Sequence, residues 1–74
     1  MENINLAIAN TISKLRQSAG LSQEEVADAA GIHRTYVSQI ERGLKSPTIP
    51  VLFNIAKALK TKPSSVMLAI ENHL

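Results

Sequence analysis

The 74-residue sequence contains no cysteine, which excludes disulfides and thiolate metal sites and gives no sign of an oxidising compartment. Long apolar runs are missing too. LAIA at 6–9 and VMLAI at 66–70 are the longest, far short of the roughly 20 residues that cross a bilayer. The N-terminus MENINLAIAN opens with an acid and lacks a basic stretch, so no secretory signal and a cytoplasmic location are expected. β-Alternation, internal repeats and low-complexity segments are absent. Histidine occurs only at positions 33 and 73, 40 residues apart, with no carboxylate pair beside either and no glycine-rich loop after a strand. An enzyme, a metal site and a cofactor are therefore not expected, and the pattern shows no pocket for a small-molecule ligand.

What is present is charge unevenly placed. Between residues 34 and 62 the positives are Arg34, Arg42, Lys45, Lys57, Lys60 and Lys62, opposed only by Glu41. Residues 1–31 hold Lys14 and Arg16 against Glu2, Glu24, Glu25 and Asp28. A basic half on a chain whose net charge is only +2 fits a polyanion partner and equally fits a solvated lysine surface.

The periodicity is helical throughout. Leu6, Ile8, Ile12 and Leu15 open an amphipathic stretch that should stop at Gly20, a residue suited to the left-handed conformation past a helix end. Ser22, with Glu25 three residues later, forms a capping box for a second helix whose inner stripe is Val26, Ala27 and Ala30. Gly31 permits a sharp turn. A third helix, about Arg34 to Arg42, is pinned by Val37 and Ile40, with His33 as a weak N-cap, and ends at Gly43. Thr48 caps a fourth helix that tolerates Pro50 in its first turn and buries Leu52, Ile55, Ala56 and Leu59. Pro63 starts a fifth, with Val66, Met67 and Ile70 as its apolar members. The expectation is an all-α, five-helix single domain over residues 1–74.

The stretch SQEEVADAAGIHRTYVSQIERG at 22–43 is a helix, a turn and a second helix with polar groups on its outer face. The spacing of Gln23, Ala27, Gly31, Val37 and Ile40 resembles the lambda-repressor-like (Cro/repressor, xenobiotic-response-element) helix-turn-helix family, over nearly the whole chain. The string Gly31-Ile32-His33-Arg34-Thr35-Tyr36-Val37-Ser38, followed by Glu41-Arg42-Gly43, further resembles the recognition helix of restriction–modification controller proteins, although Arg-Thr-Tyr also occurs elsewhere in the family. The resemblance implies a compact lambda-repressor-like fold that binds duplex DNA.

Arg34, Thr35, Ser38 and Gln39 are the expected base-contacting residues. A guanidinium pairs with guanine O6 and N7, and glutamine with adenine N6 and N7, in a major groove about 12 Å wide. Thr35 offers a methyl to thymine but can instead cap the helix's first turn. Gln23, His33, Tyr36, Arg42, Lys45 and Ser46 are the expected phosphate contacts, with Gln23 aided by the free amides of a helix N-terminus. The family further implies an ion pair between Arg16 and Glu41, structural rather than DNA-contacting.

One small module buries only about 600–1,000 Å² on DNA, too little to select a unique site, so a homodimer reading half-sites about 34 Å apart is expected. Val51, Phe53, Met67, Ile70 and Leu74 exceed what the last two helices, about 48–72, need for their own inward faces, and are the expected dimer interface. The function expected is a ligand-independent transcriptional regulator bound to a pseudo-palindromic double-stranded operator, fitting a restriction–modification operon. RNA polymerase is a further candidate partner. A phage-type repressor, an antitoxin's DNA-binding module and a protein-interaction adaptor of the coactivator kind are the alternatives.

Overall fold

The computed structural model describes residues 3–74. Met1 and Glu2, the start of the 1–74 domain and the opening acid noted above, lie outside the described residues. Five helices follow one another: α1 (Ile4–Ser18), α2 (Gln23–Ala30), α3 (Arg34–Glu41), α4 (Ile49–Ala58) and α5 (Pro63–Asn72). No strand occurs among the described residues.

Local chemistry sets the boundaries. The Asn3 side chain accepts from the Leu6 amide at 3.1 Å and opens α1. At α2 the capping box is complete: Ser22 Oγ accepts from the Glu25 amide at 3.0 Å, and the Glu25 carboxylate accepts from the Ser22 amide at 2.8 Å. Two of the four orphan amides of that helix are thereby satisfied. Thr48 Oγ1 caps α4 through the Val51 amide at 3.3 Å. At α3 the cap is His33, whose Nδ1 accepts from the Thr35 amide at 3.4 Å, too long to be a strong bond. Lys62 gives α5 no side-chain cap.

Four helices end in the same way, on a left-handed residue that returns the chain to the last turn. Gly20, Gly31 and Gly43 take this position after α1, α2 and α3, with φ of 72°, 71° and 75°. After α4 it is Lys60, with φ 57°. There the Thr61 amide donates to the Ala56 carbonyl at 3.0 Å and the Lys60 amide to that of Lys57 at 3.0 Å, the paired bonds of a Schellman ending.

The core draws on every helix. Ile12, Val26, Ile40, Ile55 and Val66 are completely sealed from solvent, each contributing about 1.5–3 kcal/mol by burial. α1 packs on both α3 and α5, and α2 on both α3 and α4. Two neighbours widen the buried arc of α1, so Ala7, Ala9 and Thr11 join Ile8 and Ile12 inside. Leu6, expected inward, is half exposed on the remaining arc. In α5 only Val66 and Ile70 turn inward, and Met67 is 48% exposed.

Candidate nucleic-acid interface

α3 is eight residues long, and only Val37 and Ile40 among them are fully buried. Those two, three residues apart, share its inner face. Arg34 and Thr35 are exposed, while Ser38 and Gln39 are half-buried at its flank. The helix therefore offers one polar, hydrogen-bonding face and is anchored by the other. Its start and end differ in firmness. The His33 cap is weak, whereas at the far end the Gln39 carbonyl accepts from the Leu44 amide at 2.9 Å and the Lys45 amide at 3.4 Å.

Three side chains from three helices fix the angle of α3. Arg16 near the end of α1 grips Glu41, the last residue of α3, with Nε to Oε2 at 2.7 Å and Nη2 to Oε1 at 3.0 Å. Its Nη1 donates to the Leu21 carbonyl at 2.9 Å, binding the α1–α2 turn as well. The two side chains are only 15% and 5% exposed, and a bidentate arginine–carboxylate pair has little freedom to swing. Glu41's hydrogen bonds push the Arg16 guanidinium above its ordinary pKa; partial desolvation works against this, and the Glu41 charge adds to it. The sequence suggested no third member, yet Gln23 Nε2 also donates to Glu41 Oε1, at 3.1 Å.

The other candidate residues distribute unequally. Gln23 is half-buried at the start of α2 and shares a polar cleft of about 390 Å³ with Arg16, Ser22, Glu24 and Arg34. Arg34 at the head of α3 and the N-terminus of α2 therefore open onto the same space. The Tyr36 ring packs against the core's edge, and its hydroxyl donates to the Ser46 carbonyl at 3.4 Å. His33, Arg42, Lys45 and Ser46 are exposed, the last three following α3 directly.

The five candidate interface residues do not form one set. Ile70 is 5% exposed and belongs to the core of its own chain, so it is corrected from interface to core: its place four residues after Val66 puts it on the inward face of α5. Val51 is half-buried against that same core. Phe53, Met67 and Leu74 are 53%, 48% and 52% exposed. Two residues that sequence reasoning missed, Ile4 and Leu68, line an apolar groove of about 610 Å³ with Met67 and Leu74. The signal for Leu68 was the VMLAI run itself, since five consecutive apolar residues of a helix cannot all face one way.

No helix among the described residues is long and apolar enough to cross a membrane, and no group of three metal-ligating side chains occurs among them.

A capped helix, a glycine turn and an anchored second helix with a polar outer face define a helix-turn-helix module. The helix-turn-helix family model HTH_3 matches residues 12–66, and the chain belongs to that family. Control protein C.BamHI of Bacillus amyloliquefaciens is 35% identical over 66 residues, 88% of this chain and 82% of that protein. The crystal structure of the restriction–modification controller protein C.AhdI from Aeromonas hydrophila is similar with a TM-score of 0.81 at 31% identity, covering 84% of this chain and 94% of that one. The restriction–modification controller protein C.Esp1396I, solved as a tetramer in complex with its natural 35-base-pair operator, matches with a TM-score of 0.86 at 28% identity over 95% of this chain and 92% of that one.

Proposed function

We propose that this chain is a sequence-specific transcriptional regulator that binds a pseudo-palindromic DNA operator as a homodimer, in the manner of a restriction–modification controller. The observation that carries the reading is the exposed face of α3, Arg34 and Thr35 with Ser38 and Gln39 at its flank, on a helix whose last residue, Glu41, is held by Arg16 of α1 and Gln23 of α2. A reading head must present donors and acceptors without rolling, and this one has an apolar anchor and an ionic lock. In the proposed complex Arg34 pairs with guanine, Gln39 with adenine, and Thr35 and Ser38 with neighbouring edges. Gln23, His33, Tyr36, Arg42, Lys45 and Ser46 take phosphates on either side of the groove.

The similarity to controller proteins, spanning most of both chains, supports the more specific role. Phe53, Met67 and Leu74, too exposed for large apolar residues of a monomer this small, supply the dimer contact. The work is binding rather than catalysis, it takes place in the cytoplasm, and RNA polymerase at the adjoining promoter is the partner through which occupancy acts. Titration of duplex affinity against salt tests the reading. Phosphate-driven binding gives a log–log slope near −0.9 for each phosphate neutralised, whereas a protein-interaction adaptor would have little affinity for duplex at any salt.

A further inference from the structure

Glu41 places a carboxylate beside a cleft proposed to receive phosphate, a position that needs an explanation. The cleft is lined by Arg16, Ser22, Gln23, Glu24 and Arg34. Glu41 Oε1 accepts from Gln23 Nε2 at 3.1 Å and from Arg16 Nη2 at 3.0 Å, while Oε2 accepts from Arg16 Nε at 2.7 Å. An ionised carboxylate only accepts, so it selects the Nε2 end of the glutamine amide. One N–H of that amide is consumed, and the other is left for an anion. The α2 amides of Gln23 and Glu24 precede the first one taken by the capping box, that of Glu25, and so have no intrahelical partner.

A bare carboxylate here would repel a phosphate, and Glu24 on the same cleft adds to that charge. Arg16 has three of its five N–H groups committed to Glu41 and the α1–α2 turn, so its guanidinium is held against the carboxylate rather than aimed at a phosphate. Its Nε and Nη2 are on Glu41, and its Nη1 is on the Leu21 carbonyl. Its charge, however, lies against Glu41 whatever its hydrogen bonds do.

We propose that Glu41 and Arg16 are positioning residues for the DNA backbone: Glu41 orients the Gln23 amide toward the phosphate, and Arg16 cancels the Glu41 charge that would repel it. The inference rests on the operator-binding reading above and gives the ion pair a role in affinity beyond holding α1 to α3.

Arg16→Gln, Glu41→Gln, Glu41→Leu and the double variant Arg16→Gln/Glu41→Gln test it, each confirmed folded by circular dichroism and titrated with a mixed-sequence duplex over a range of salt. The Arg16→Gln protein should bind about tenfold more weakly than wild type at low salt, as expected for one uncompensated charge several ångströms from a phosphate, with the gap closing as salt rises. Glu41→Gln should bind at least as tightly as wild type. The double variant, which has no ion pair, should return to within about threefold of wild type once the charge is gone. Glu41→Leu, neutral but without an acceptor for the amide, should bind more weakly than Glu41→Gln. If Arg16→Gln does not fold, the remaining three decide. Weaker binding by both Glu41→Gln and the double variant, in step with lost stability, would mean a purely architectural pair and overturn the inference. Equal binding by Glu41→Gln and Glu41→Leu would remove the orienting role. Absence of salt-dependent duplex binding by the wild-type protein would instead overturn the operator-binding reading itself.

Discussion

In the proposed reading, Arg34 is the residue on which selectivity most depends. It is exposed at the first position of α3, where a guanidinium can reach both acceptors of a guanine, worth about 1–3 kcal/mol against the wrong base. Arg34→Ala should therefore weaken operator binding by about ten- to a hundredfold while affecting a scrambled duplex much less, as competition titrations would read. Equal losses on both duplexes would assign Arg34 to the phosphates. Thr11 raises a different question at the same scale. Its hydroxyl is buried without a hydrogen-bond partner, and a buried unpaired polar group costs about 1–3 kcal/mol. Thr11→Val, near in shape and similar in helix propensity, should raise the unfolding free energy by about 1 kcal/mol in denaturant melts. No sequence signal marked Thr11, because a threonine in an amphipathic stretch reads as surface until the second neighbour of α1 is known.

Among the elements, the helix ends were the most legible part of the chain and one of them was not. Three glycines marked three helix ends, Gly20 as a left-handed residue, Gly31 as a sharp turn and Gly43 as a stop, and each has φ above 70°. The ending of α4 went unseen because Lys60 is an ordinary residue in an uncommon conformation. Lys60→Gly should therefore stabilise the fold by about 1 kcal/mol, measurable as a higher midpoint in urea, since no Cβ penalty remains. The inward faces of α2 and α4 were also readable, as Val26, Ala27 and Ala30 of α2 and Leu52, Ile55 and Ala56 of α4 show. On α1 the contacts with α3 and α5 bury the small residues Ala7, Ala9 and Thr11 and leave Leu6 out, which the spacing of its large apolar residues did not show. Arg16 and Glu41 lie 25 residues apart on different helices, and family resemblance suggested their pairing where periodicity could not. Gln23 as third partner was not suggested by either. Removing Arg16 by an alanine substitution should cost about 3–5 kcal/mol, since Glu41 would remain buried without its partner, a loss that calorimetry would show as a sharply lowered Tm.

For the molecule as a whole, the question is how so small a domain selects one site among many. A single core of this size supplies about 3–5 kcal/mol, and one recognition helix reads few base pairs. The proposed homodimer would answer both needs, by burying more apolar surface and by doubling the site. Phe53 is 53% exposed on α4, and Phe53→Lys should make the protein monomeric in sedimentation equilibrium while leaving its circular dichroism unchanged. An unchanged mass would move the interface to the groove of Ile4, Met67, Leu68 and Leu74. Ile70 could not be separated from these residues by sequence alone, because a helix with five apolar residues in succession has both an inward and an outward claim on them.

Selection of bound duplexes from a random pool tests the reading head most directly, because half-site, spacing and symmetry emerge together. The account predicts enrichment of two inverted half-sites about 34 Å apart centre to centre, each with a guanine whose enrichment vanishes for Arg34→Ala. Recovery of a pool with no preferred sequence, or of the same motif with and without Arg34, would contradict it.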